Sequence, residues 1–137
     1  MNLIFADSFY FFALINPNDQ SHNAAIQYSS LPIGPIITTA WILTELADGL
    51  SRVSDRKLFI HILHALESDP KSIIIEPTQF WFDAGLKLYK DRVDKNWSLT
   101  DCISFEVMRQ YNVNEALTGD RHFVQAGFKA LLNPEKV

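Results

Sequence analysis

The chain has 137 residues, 47% hydrophobic and 20% charged, which argues against a disordered chain and suits one packed domain over 1–137. A formal net charge of −4 excludes a generic nucleic-acid coat protein. It leaves room for a nucleic-acid enzyme whose acidic ligands are neutralised by cations.

A single cysteine, Cys102, excludes an internal disulfide and a multi-cysteine zinc site, and points to a reducing cytoplasm. No apolar run approaches the roughly 20 residues that span a bilayer, so no membrane association is expected. The opening MNLIFADSF lacks a basic segment and carries Asp7, so no signal peptide is expected.

Short apolar runs alternate with helical patterns along the whole chain. A buried strand over 3–6 is followed by a helix over 9–15, stopped at Asn16-Pro17, and a second helix over 21–30. Pro32 and Pro35 bracket a turn before a strand over 36–38. Helices follow over 40–52 and 55–67, the second with Asp55 as its cap. Pro70 closes that segment, and Ile73-Ile74-Ile75 is the clearest strand signal.

A helix over 78–92 comes next, then one that starts at Ser98 and ends near Tyr111-Asn112. A strand over 115–118, a turn at Gly119-Asp120, a short helix over 122–125 and a strand over 129–132 complete the pattern. Strands separated by helices, joined by right-handed crossovers, predict a three-layer α/β/α sandwich around a mostly parallel, five-stranded sheet.

Sites in open parallel sheets form at the carboxyl ends of the strands, where the strand order reverses. Asp7 directly follows the first strand and Asp120 closely follows the fourth. Glu45 lies in the second turn of a helix leaving the same edge, and Asp101 in the first turn of a helix returning from it. All four acids are thus expected at one end of the sheet. They meet only if the first and fourth strands are neighbours, which chain order does not prove.

Each acid has a local alternative. Asp7 would cap the helix that follows it, and Asp120 would serve a turn or an N-cap. Ser98 and Asp101 have the spacing of a capping box. Glu45, beside Trp41, Ile42, Leu43 and Leu46, is expected on a largely buried helix where a carboxylate needs a partner. Asp48, one turn on, is expected to be exposed.

Taken together the four favour a site. Clustered carboxylates repel one another, which raises their pKa values unless a cation intervenes. Hard oxygen donors without cysteines suit Mg²⁺ or Mn²⁺, and the chemistry that follows is phosphodiester hydrolysis.

The order Asp7-Ser8, Thr44-Glu45-Leu46, Leu99-Thr100-Asp101 and Leu117-Thr118-Gly119-Asp120-Arg121-His122-Phe123 resembles the PIN-domain ribonucleases, and the chain length resembles the VapC-like toxins of toxin–antitoxin pairs. The resemblance covers essentially the whole chain. Its most telling piece is the Thr-x-Asp-x-x-Phe segment of Thr118, Asp120 and Phe123. It implies an endoribonuclease with Mg²⁺ or Mn²⁺ held by Asp7, Glu45, Asp101 and Asp120, and with Ser8 or Thr118 orienting a ligand. It also implies an RNA substrate, a cognate antitoxin partner and a homodimer.

Phosphate contacts are sought among Arg52, Arg56, Lys57, Lys87, Lys90, Arg92, Lys95 and Arg121, most of which read as solvated helix faces. Arg121 is favoured because it adjoins Asp120. His61 and His64 share a helical face but lack a third ligand nearby, and read as core-edge or surface residues. His122 reads as a substrate contact rather than a general base, and Cys102 as a small core hydrophobe.

The aromatic groups over 9–12 and 80–82 exceed what one helix face buries, so the surplus is expected at a dimer or antitoxin surface. Competing readings are weaker. Phosphoryl transfer through Asp7 lacks a second acid beside it, and no glycine-rich phosphate motif supports a nucleotide-binding module. The non-enzyme alternative is an inactive PIN-like scaffold that binds RNA or a protein partner.

Overall fold

The short apolar runs become five strands: β1 (Ile4–Ala6), β2 (Ile36–Thr39), β3 (Ile73–Ile75), β4 (Glu115–Leu117) and β5 (Lys129–Ala130). Between them lie α1 (Ser8–Ile15), α2 (His22–Ser30), α3 (Ala40–Gly49), α4 (Arg56–Ser68), α5 (Gln79–Asp91), α6 (Leu99–Gln110) and α7 (Arg121–Gln125). The computed structural model describes residues 3–31 and 34–133, so Pro32 of the expected turn lies outside the described residues.

The strands form one sheet in the order β3-β2-β1-β4-β5, with every neighbouring pair parallel. Phe5 of β1 pairs with Ile37 on one side and Ala116 on the other. Strand order therefore reverses between β1 and β4, the position where a parallel sheet opens a crevice at its carboxyl edge. Right-handed crossovers put α1 to α4 on one face and α5 to α7 on the other. The packing agrees, with α1 against α2 and α3, α3 against α4, and α6 against both α5 and α7.

Both faces being covered explains why the central strands are apolar without alternation: Phe5, Ala6, Ile37, Ala116 and Leu117 have no exposed surface. Helix α6 is the most embedded segment of the second layer, with Ile103, Phe105, Val107 and Met108 at 1% exposure or less. Its close approach to α5 depends on Gly85, where a Cβ would overlap the Ile103 side chain and lie 3.0 Å from the Ile103 backbone.

A run of aromatic contacts then ties three site-bearing elements together. Phe105 of α6 meets Phe123 of α7 edge-on at 5.0 Å, and Phe123 meets Phe5 of β1 at 6.1 Å. Trp97 extends the run, packing edge-on against Phe105 at 5.0 Å and donating its indole N–H to Gln125 at 3.0 Å. On the other side of β1, the buried Thr38 hydroxyl donates to the Ala6 carbonyl at 2.8 Å and holds the carboxyl ends of β1 and β2 in register.

Several boundaries differ from expectation for local reasons. The helix expected over 40–52 stops at Gly49, where the Ser51 hydroxyl turns back onto the Asp48 carbonyl and competes with helix propagation. Asp55 occupies the cap position of α4, but its side chain makes no capping hydrogen bond. Strand β5 ends at Ala130, although Leu131 and Leu132 still donate to the Ala116 and Thr118 carbonyls at 2.9 Å.

Candidate functional site

The site is built from the carboxyl edge outward. Asp7 leaves β1 in an extended conformation at the start of α1, yet its side chain makes no capping bond. Instead the Thr118 hydroxyl, one residue past β4, donates to Asp7 Oδ2 at 2.8 Å. The same Thr118 oxygen accepts from the Asp120 backbone N–H at 3.1 Å. One buried hydroxyl thus joins the end of β1 to the loop that presents Asp120.

Asp120 caps α7 by accepting from the His122 N–H at 2.9 Å. Across the crevice, Ser98 and Asp101 form a complete capping box: Ser98 Oγ accepts from the Asp101 N–H at 3.0 Å, and Asp101 Oδ2 accepts from the Ser98 N–H at 3.2 Å. Asp101 Oδ2 also lies 3.0 Å from His122 Nδ1, which donates when protonated. Capping therefore holds both carboxylates in place at helix starts without removing them from the crevice.

Glu45 projects from α3, and the Ser8 hydroxyl donates to its Oε1 at 3.0 Å. The expectation of a largely buried position is corrected here: Ile42, Leu43 and Leu46 are buried, but Glu45 and its neighbour Thr44 are exposed. The helix turns one face to the core, and Glu45 falls on the other. Asp48 is exposed as expected.

The acids act on one another. Asp7 is only 6% exposed, and loss of hydration is the main reason its pKa rises from 3.8 to about 7. The Thr118 hydrogen bond opposes that rise, while the charges of Asp101 and Glu45 add to it. Glu45 and Asp101 are also raised, in each case first by partial desolvation of the carboxylate. Asp101 and Asp120 push Glu45 further up, and Asp120 does the same to Asp101, against the His122 and Ser98 hydrogen bonds that lower it.

The tightest part of the cluster is the trio Asp101, Asp120 and His122, each offering a ligand atom within 4.8 Å of the others. Asp7 and Glu45 stand outside that trio, coupled to it through charge. His122 is the member that sequence reasoning missed, having been read only as a substrate contact. The available signal was its place two residues after Asp120, the cap whose carboxylate accepts the His122 N–H and lies 3.5 Å from its ring.

Arg121 is exposed and lines a polar depression of about 300 Å³ together with Asp120, His122, Asp94, Lys95 and Asn96. His61 and His64 are exposed on α4, away from this edge in sequence and without a ligand group among the described residues. Cys102 is a buried free thiol whose pKa is pushed up to about 11, chiefly by burial, which leaves it unreactive.

No family model and no curated protein matches the sequence. Solved structures do. The chain superposes on VapC20 of Mycobacterium tuberculosis, a sarcin-ricin loop cleaving toxin, with a TM-score of 0.79 and 24% identity, covering 91% of this chain and 95% of that one. The fold is that of a VapC-like PIN domain.

FitAcB of Neisseria gonorrhoeae is more distant in sequence, at 16% identity. It matches 93% of this chain and 94% of its own with a TM-score of 0.65. Within the PIN frame, the reversal of strand order between β1 and β4 brings Asp7 and Asp120 to adjacent strand ends. The likeness speaks for the fold; the chemistry rests on the acids themselves.

Proposed function

We propose that this protein is a metal-dependent endoribonuclease, acting in the cytoplasm as the toxin of a toxin–antitoxin pair. Asp7, Glu45, Asp101 and Asp120 hold Mg²⁺ or Mn²⁺. The observation that carries this reading is the shared electrostatic load at the β1/β4 edge, where Asp7, Glu45 and Asp101 all have raised pKa values, Asp7 under the charges of Asp101 and Glu45, and those two under that of Asp120. Such a cluster is costly to keep ionised and gains from a divalent cation.

The donor set fits the metal. Carboxylate oxygens with one imidazole and no thiolate favour Mg²⁺ or Mn²⁺ over zinc in a Cys-based site. When bound, the ion supplies Lewis-acid activation of the phosphodiester and of the attacking water. The reaction adds water across one P–O bond and delivers a proton to the departing oxygen.

The remaining side chains prepare that chemistry. Thr118 fixes the rotamer of Asp7, and Ser8 fixes that of Glu45. The Ser98 box and His122 fix Asp101 from two directions. Arg121, at the rim beside Asp120, contacts substrate phosphate. VapC20, which shares the fold over nearly its full length, is a sarcin-ricin loop cleaving toxin, in keeping with this assignment.

The partners are RNA, a cognate antitoxin and a second copy of the chain. Phe80, 62% exposed, packs edge-on against Trp81, which stacks with the 40% exposed Tyr111. That aromatic surface is the proposed dimer contact.

The deciding assay is RNA cleavage by the wild type and by Asp7→Asn, with Mg²⁺ or Mn²⁺ and with a chelator. Cleavage should require the metal and fall by at least about a hundredfold in the variant. Cleavage indifferent to both the substitution and the chelator would overturn the mechanism. RNA binding with no cleavage under any metal would favour the inactive scaffold.

A further inference from the structure

The trio at the crevice joins two carboxylates to one imidazole. His122 Nδ1 lies 3.0 Å from Asp101 Oδ2 and 3.5 Å from Asp120 Oδ1. Donors on adjacent corners of an octahedral ion, with bonds near 2.1 Å, stand about 3 Å apart. Both separations fall within about half an ångström of that spacing. The ring is thus placed against each carboxylate as a fellow ligand would be.

The backbone holds all three side chains there. Asp101 is fixed by the Ser98 capping box, and the Asp120 N–H is bound by Thr118. The His122 N–H is in turn bound by Asp120. Little rearrangement separates this arrangement from a ligand set. Asp120 and His122 also line the polar depression of about 300 Å³, which gives an ion a way in from solvent.

The imidazole has two possible uses at this point. With a proton on Nδ1 it donates to Asp101 and only orients that carboxylate; with the proton on Nε2, Nδ1 offers a lone pair. A proton on Nδ1 serves one carboxylate well and leaves the other 3.5 Å away. A cation there serves both carboxylates and the ring.

We propose that His122 is itself a ligand of the ion, through Nδ1, and that it sets the metal preference toward a divalent transition ion such as Mn²⁺ over Mg²⁺. The proposal rests on the metal-dependent reading and decides between its two ions. Mg²⁺ holds to oxygen donors and water, so an imidazole strengthens the grip on a transition ion and adds little for Mg²⁺.

The test combines pulsed electron paramagnetic resonance of the Mn²⁺-loaded protein with titrations of Mn²⁺ and Mg²⁺, for wild type, His122→Ala and His122→Asp. Melting curves in chelator verify that the variants keep the fold, and the wild-type spectrum needs no variant. The wild type should show nitrogen modulation from a directly bound imidazole, absent in His122→Asp. His122→Ala should weaken Mn²⁺ binding by about tenfold or more and Mg²⁺ binding far less. His122→Asp, which supplies an oxygen donor, should lose the preference for Mn²⁺.

Mn²⁺ bound to the wild type without nitrogen modulation overturns the ligand role, and so does an equal loss of both ions in His122→Ala. RNA cleavage in Mn²⁺ separates the two levels. Cleavage without nitrogen modulation rejects the ligand and keeps the nuclease. Nitrogen-bound Mn²⁺ in a protein that cuts no RNA keeps the ligand and rejects the nuclease.

Discussion

Asp7 concentrates the energetic tension of the site in one side chain. Its folded-state pKa of about 7 lies above the ordinary 3.8, because burial disfavours the charged form more than the Thr118 hydroxyl favours it. The stability linked to the neutral carboxyl is fully present below pH 3.8 and is lost as pH rises toward 7. The loss should be on the order of 4 kcal/mol for a shift of this size.

In a chelator, urea midpoints should therefore fall across that interval, and Asp7→Asn should flatten the decline and be the more stable protein at pH 7.5. A decline equally steep in the variant would place its cause elsewhere. At this scale the opposing roles of Asp101 also resolve. Its carboxylate completes a capping box and still faces His122 and Asp120, because a helix N-terminus favours the same negative charge that a cation does.

At the scale of elements, the crossing of α5 and α6 decides where Asp101 is delivered. The two helices approach closely at Gly85, where there is no room for a Cβ against Ile103. Gly85→Ala should gain intrinsic helix propensity and nevertheless lose about 1–3 kcal/mol through overpacking. Thermal melts should show a fall of several degrees. A Gly85→Ala protein as stable as wild type would show that the helices separate at little cost.

The start of α6 was readable from Ser98 and Asp101, since capping involves only residues three apart. The need for Gly85 was not readable, since nothing in the local pattern of α5 reveals which residue of α6 it meets. The same limit applied to Glu45: apolar neighbours identified the helix, but only the packed structure showed that its own position faces outward.

For the molecule as a whole, the exposed Phe80 and Tyr111, joined through the half-buried Trp81, make a specific expectation about assembly. The aromatic run over 9–12 is largely accounted for by the core, with Tyr10 and Phe11 buried and Phe9 and Phe12 packed against it. The surplus therefore falls on the second group. Sedimentation should find a dimer for the wild type and a monomer for Phe80→Glu, with no change in melting of the isolated fold. A dilute wild-type monomer with no partner added would count against that surface. Among the described residues no helix is long and apolar enough to cross a membrane.

The alternation of strands and helices, the parallel character of the sheet and the assignment of Asp7, Asp101 and Asp120 to a strand end or helix start were all determined by the sequence itself. They depend on periodicity, capping and turn chemistry, which act over a few residues. The tertiary structure alone decided that β1 lies beside β4, pairing Phe5 with Ala116 and joining Asp7 to Thr118 across 111 positions of chain. No local preference selects that adjacency. It follows from burying both faces of the sheet at once, with Phe5, Phe105 and Phe123 packed together beneath the acids.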